Sequence, residues 1–145
     1  MPLRWQLRGA AALFRVYAGL LLCEAAYVGW TSRWSASGQA WSGPRPLQHA
    51  VTLIAGAAGF LALARALVRG VRTAWLIGVT VSSVFGLGAL VLFVFAIVGR
   101  CGLPGQVLGP ITTATLAGTS TWILLSALVL LLRQRFFEQR RTGAI

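Results

Sequence analysis

Lysine and aspartate are absent from this chain, and it carries only two glutamates, Glu24 and Glu138, one histidine, His49, and one methionine, Met1. Each scarcity removes a class of chemistry. Two glutamates far apart in sequence give no paired acid and base. One histidine without an aspartate gives no Ser-His-Asp set. Zinc needs three or four His, Cys or carboxylate ligands. Haem held from both sides needs a second axial ligand that this chain does not offer. The two cysteines, Cys23 and Cys101, form no CxxC pair and read as small apolar fillers. No glycine-rich phosphate loop follows a strand pattern, because there is no strand pattern. Neither metal nor cofactor is expected, and the chain on its own is expected not to be an enzyme.

Charge is scarce too: 10% of residues are charged and 57% are hydrophobic, against about 25% charged in a soluble domain. That leaves too little polar surface to cover a water-exposed globule, so lipid must be the main solvent. The net charge of +11 is all arginine. Clustered cations can bind nucleic acid, but these arginines sit at the ends of apolar runs. Anionic lipid headgroups, worth about 1 kcal/mol per arginine near a charged leaflet, are the expected partner. Arg65, Arg69, Arg72, Arg133 and Arg135 are the headgroup candidates; nucleic acid is not expected. Abundant arginine, alanine and glycine without lysine points to a GC-rich bacterial source, hence to the plasma (inner) membrane.

A helix needs roughly 20 apolar residues to cross about 30 Å of hydrocarbon. Four stretches qualify: residues 9–30, 47–68, 71–99 and 111–132. The sequence thus predicts an all-α integral membrane protein, a single domain over 1–145, with four transmembrane helices in an antiparallel bundle and a basic interfacial tail at 133–145. The first span resembles a secretory signal in its basic start, yet it is too long and holds Arg15 and Glu24, so it is read as a retained helix. Residues 31–46, rich in turn formers, carry Trp34 and Trp41 and read as a loop grazing the headgroups. With the N-terminus inside, Arg4, Arg8, Arg65, Arg69, Arg72, Arg133, Arg135, Arg140 and Arg141 lie at the cytoplasmic ends. Only Arg33, Arg45 and Arg100 fall outside. That bias predicts both termini in the cytoplasm.

Small residues announce packing. Ala74, Gly78, Ser82 and Gly86 recur at four-residue spacing and line one stripe of the third span, where a neighbouring backbone can approach closely. The block AGAAG, from Ala55 to Gly59, offers a second such surface in the second span. Trp122, near the middle of the fourth span, is expected to fill space against the glycine-bearing stripe.

Glu24 is the sharpest candidate for chemistry. With its span centred near Leu20, it would lie about 6 Å from the midplane, where an ionisable group is a functional hypothesis by default. Tyr17, Leu20, Tyr27 and Val28 share its face. Arg15 lies on the far side of the same helix and snorkels toward headgroups. At a similar depth the fourth span offers Thr115, Thr119 and Ser120, and the second offers His49 about a turn higher. A structural role, with Glu24 protonated and bonded to a tyrosine or threonine hydroxyl, competes with a contact to another subunit and with proton or substrate coupling. The threonine run of the fourth span reads as packing, its hydroxyls returned to its own helix.

Four short spans with a glutamate in the first resemble the small multidrug-resistance transporters, which implies a homo-oligomer with Glu24 as coupling carboxylate. This chain departs from them in its longer loops and its strong arginine bias. The segment VRTAWLIG and the ending LLLRQRFFEQRR look like helices leading into lysyl-phosphatidylglycerol synthases, although no catalytic domain follows. Three functions remain open: an accessory or scaffold subunit of a larger membrane complex, a small homo-oligomeric transporter using Glu24, and a subunit lending Glu24, Tyr27 and His49 to a quinone or lipid pocket. The expected protein partners are other membrane subunits or further copies of this chain.

Overall fold

The computed structural model describes residues 3–34, 46–98 and 110–141, with side chains over 5–30, 48–98 and 114–134. The described residues form four α-helices and no strand: α1 (Leu3–Trp34), α2 (Pro46–Val68), α3 (Arg72–Ile97) and α4 (Pro110–Arg141). Each contains a stretch long and apolar enough to cross a membrane, namely Trp5–Trp30, Gln48–Val68, Arg72–Ile97 and Ala114–Gln134. The chain is thus a candidate multi-pass membrane protein. In hydrocarbon a backbone must satisfy its own N–H and C=O groups, and the helix does so within one segment.

Local sequence sets the helix ends. Pro46 and Pro110 occupy the first positions of α2 and α4, where a missing N–H removes no helical bond. Gly70, at φ +75, closes α2 in the left-handed region. Its N–H donates to Leu67 C=O at 3.0 Å and the Val71 N–H donates to Ala66 C=O at 3.2 Å. These two bonds form a Schellman cap. The chain reverses within this turn, and α3 begins at once. Helix α1 starts at Leu3, six residues before the expected start at Gly9, because its basic first turns continue the helix.

In the packing order around the bundle, α2 lies on α1, α1 on α4 and α4 on α3, while α2 and α3 touch only lightly. One core joins all four helices through Phe14, Phe60, Leu67, Leu124 and Leu131, with alanines between them. Large apolar side chains such as Val16, Ile54, Val84, Phe95 and Val129 face outward, as lipid-facing positions do.

The buried residues of α3 are Ala74, Gly78, Ser82 and Gly86. Leucines of α4 fill the stripe. A Cβ on Gly78 would stand 3.2 Å from Leu131 Cδ1, and one on Gly86 would stand 3.3 Å from Leu125 Cδ2. Farther along the same seam, a Cβ on Gly118 of α4 would meet the Phe93 ring at 2.9 Å. Trp122 does not take part. It is 77% exposed, because it precedes Leu124 by two residues, about 200° around the helix, whereas Leu124, Ala127 and Leu131 share the inward face. The tryptophan that does join α3 to α4 is Trp75, whose Nε1–H donates to the Leu131 carbonyl at 3.0 Å.

The α1–α2 seam uses different material. Phe60 meets Phe14 in a tilted ring contact at 5.7 Å and Tyr17 edge-on at 4.8 Å. The AGAAG block meets α1 through Gly56, whose Cβ would lie 3.5 Å from Leu21, and through buried Ala57. Ala55 and Gly59 lie on the outer face of α2.

Candidate functional site

Helix α1 presents Glu24 to the first turn of α2, where His49 Nε2 stands 3.8 Å from Glu24 Oε1. The separation is longer than a hydrogen bond and short enough for an ion pair when the imidazole is protonated. The Glu24 side chain is 20% exposed and that of His49 is 44% exposed. No acidic residue occupies the first turn of α2. The Glu24 carboxylate therefore supplies from α1 the negative charge that favours a helix N-terminus.

The candidate span Trp5–Trp30 is centred near Ala18, so Glu24 lies about 10 Å from the middle at 1.5 Å per residue. That is farther out than the 6 Å expected when the span is taken to begin at Gly9.

The other candidates divide. Tyr17 is buried at 7% exposure with its hydroxyl beside Ser120 of α4, two helical turns or about 10 Å along α1 from Glu24. Tyr27, on the same side of α1, is 50% exposed. Thr119 donates its hydroxyl to the Thr115 carbonyl at 2.8 Å, and Thr121 donates to the Ala117 carbonyl at 2.8 Å. Those hydroxyls are returned to α4 itself and line no polar path. The structure thus brings together Glu24 and His49, sets Tyr17 and Ser120 about two helical turns away, and leaves Thr115 and Thr119 on the outer side of α4. Arg15 is exposed on α1.

Among the described residues no three His, Cys, Asp or Glu side chains come close enough to hold a metal ion. Cys23 is free and exposed, while Cys101 and the loop tryptophan Trp41 lie outside the described residues, as does the side chain of Arg135. Arg65, Arg69, Arg72 and Arg133 are all exposed at the end of the bundle opposite Glu24.

Sequence reasoning missed a polar element at that end. Gln6 of α1 and Gln134 of α4 are buried, at 5% and 8% exposure. A Cβ on Gly9 would touch Leu130 at 3.3 Å, a register that places the two glutamines at one level. Neither glutamine stands out in a basic, polar chain terminus; only the pairing of α1 with α4 buries them. No protein-family model, curated protein or solved structure matches this chain.

Proposed function

We propose that this chain is a non-catalytic membrane protein that acts as an accessory or scaffold subunit of a larger membrane complex. The observation carrying this reading is the outer face of α2. Ala55, Ala58, Gly59 and Ala62 are all exposed and follow the i, i+3, i+4, i+7 spacing of one helix stripe. A Cβ built on Gly59 meets nothing within 4 Å. Alkyl chains gain little from such a shallow surface, whereas another helix can bring its backbone close to it. The α3 stripe is already filled by α4, so the α2 stripe is surplus to the packing of this bundle.

The finer topology belongs to the same reading. Antiparallel neighbours are supported by paired contacts that run in opposite directions along the sequence: Gly78 with Leu131, Gly86 with Leu125 and Phe93 with Gly118. Cytoplasmic termini are supported by the arginine bias, and a bacterial inner membrane by the composition.

Purification from the native membrane in mild detergent, followed by mass spectrometry, tests the proposal. Larger subunits should accompany the chain in fixed stoichiometry. A58L/G59L should release them without changing helix content. A lone monomer throughout would count decisively against a scaffold role.

The Glu24–His49 contact favours one second reading, a small homo-oligomeric transporter with Glu24 as its coupling carboxylate. Transport into vesicles that survives Glu24→Gln unchanged would remove it.

A further inference from the structure

We infer that the α2–α3 turn forms a discrete binding site for the phosphate headgroup of an anionic phospholipid. Two clefts meet at this turn. One, of about 530 Å³, runs between the α1 start and α3 and has Arg72, Trp75 and Gln134 in its wall. The other, of about 250 Å³, has Arg8 and Arg69 in its wall. Leu7 and Gly70 line both, so the turn divides one groove and sets guanidinium groups on either side of it.

Charge gives the groove its ligand class. Among the described residues no carboxylate pairs with Arg8, Arg69 or Arg72. The sole acidic side chain described, Glu24, is sixteen residues from Arg8 along α1, or about 24 Å away. Helix α3 starts in the groove with no acid in its first turn and no side-chain cap on Val71, so its N-terminal dipole adds to the same positive field. Three guanidinium groups and a bare helix start around one turn, with no counter-anion among the described residues, call for an external one. Arginine suits a phosphate oxygen pair in particular, because its planar fork can donate two parallel hydrogen bonds.

The walls choose between a lipid and a free phosphate. Leu67, Val68, Val71 and Leu76 line the two clefts, and Val68, Val71 and Leu76 are exposed. An inorganic ion has no use for such walls, whereas the glycerol and upper acyl carbons of a phospholipid lie along them. The light contact between α2 and α3 leaves this groove open on the side where a lipid would enter. The site is independent of whether the chain has a protein partner.

Native mass spectrometry of the full chain in mild detergent, titrated with phosphatidylglycerol or phosphatidylcholine, tests the inference. One phosphatidylglycerol should be retained in preference to phosphatidylcholine. R69Q/R72Q should lower that retention by roughly 25-fold, taking about fivefold for each arginine. V71W should lower it by filling the groove with no change of charge. Arg65→Gln removes one charge at the same end but outside the groove, and should leave retention within about twofold, against about fivefold for each groove arginine. R69K/R72K should recover part of the loss and shows, together with an unchanged helix content, that the glutamine variants are folded. Equal retention of the two lipids, or an equal loss per charge removed in R65Q and R69Q/R72Q, would reduce the site to diffuse surface attraction and overturn the inference. Displacement of the lipid by millimolar inorganic phosphate would overturn the lipid assignment in favour of a free-phosphate site.

Discussion

The α3–α4 seam and the α1–α2 seam both bring helices close together in lipid, and they do it with opposite materials. Along α3 the stripe is emptied, with Ala74, Gly78, Ser82 and Gly86 buried, and α4 fills it with leucines. Between α1 and α2 the seam is filled by rings, with Phe60 at the centre of contacts to Phe14, Tyr17 and, across to α3, Phe85 at 6.2 Å. Lipid tails are as apolar as leucine, so neither seam draws on a hydrophobic effect between helices; contact and shape must hold both. An emptied seam is intolerant of added atoms, and a filled seam is intolerant of lost ones.

Gly78→Leu should show the largest effect. A Cβ there already lies 3.2 Å from Leu131, with Phe14 at 3.7 Å and Leu67 at 3.9 Å, so a leucine has no room without parting α3 from α4. Overpacking of this kind costs about 3 kcal/mol, measurable by unfolding in bicelles with circular dichroism. Gly88→Leu is the matched control, because nothing lies within 4 Å of a Cβ at Gly88. Equal destabilisation by the two variants would show that helix propensity rather than the seam controls the outcome, and the contrast between seams would collapse.

Phe60→Ala tests the filled seam by subtraction. Its three ring pairs contribute roughly 0.5–1 kcal/mol each, so a loss of about 2 kcal/mol is expected in the same assay. Phe60→Leu keeps much of the volume and should recover part of it. If both substitutions are silent, the aromatic cluster is incidental to the α1–α2 contact.

These two seams also show what could be read without coordinates. The α3 stripe was legible because it is local. Four-residue spacing of small side chains defines a helix face whatever lies opposite, and the same four residues are the buried ones in α3. Its partner was not legible. Trp122 looked the right size to fill the stripe, yet helix rotation turns it outward, and the choice among α4 residues depends on a register that no local pattern carries. The Glu24–His49 contact was half visible, since both residues stood out as rare polar groups near membrane boundaries. Their distance hinged on where α1 begins, and the basic first turns concealed that start. The buried glutamines and the arginine-walled groove left no periodic trace, because separate helices assemble them.

Ser82→Ala should have a smaller effect, of opposite sign. Ser82 is fully buried in the middle of the emptied stripe, and its hydroxyl finds no hydrogen-bond partner among the described residues. By contrast its neighbour Ser83 donates to the Val79 carbonyl at 2.8 Å. Removing an unsatisfied buried hydroxyl should stabilise the bundle by about 1 kcal/mol. A loss of stability would instead mean that the hydroxyl makes a bond across the seam to α4, and that the emptied seam is held by polar contacts as well as by shape.

His49→Gln should have the least effect. The imidazole is 44% exposed and 3.8 Å from Glu24, a geometry in which an ion pair contributes about 0.5 kcal/mol or less. A double-mutant cycle with Glu24→Gln isolates that coupling from the separate effects of each change. Weak coupling leaves the carboxylate available for a role beyond holding α1 to α2, which the transporter reading requires. Coupling near 2 kcal/mol would place the pair in a dry environment and make it a third structural seam element. Glu24 would then be explained by stability alone, and the scaffold proposal would stand without a competing site.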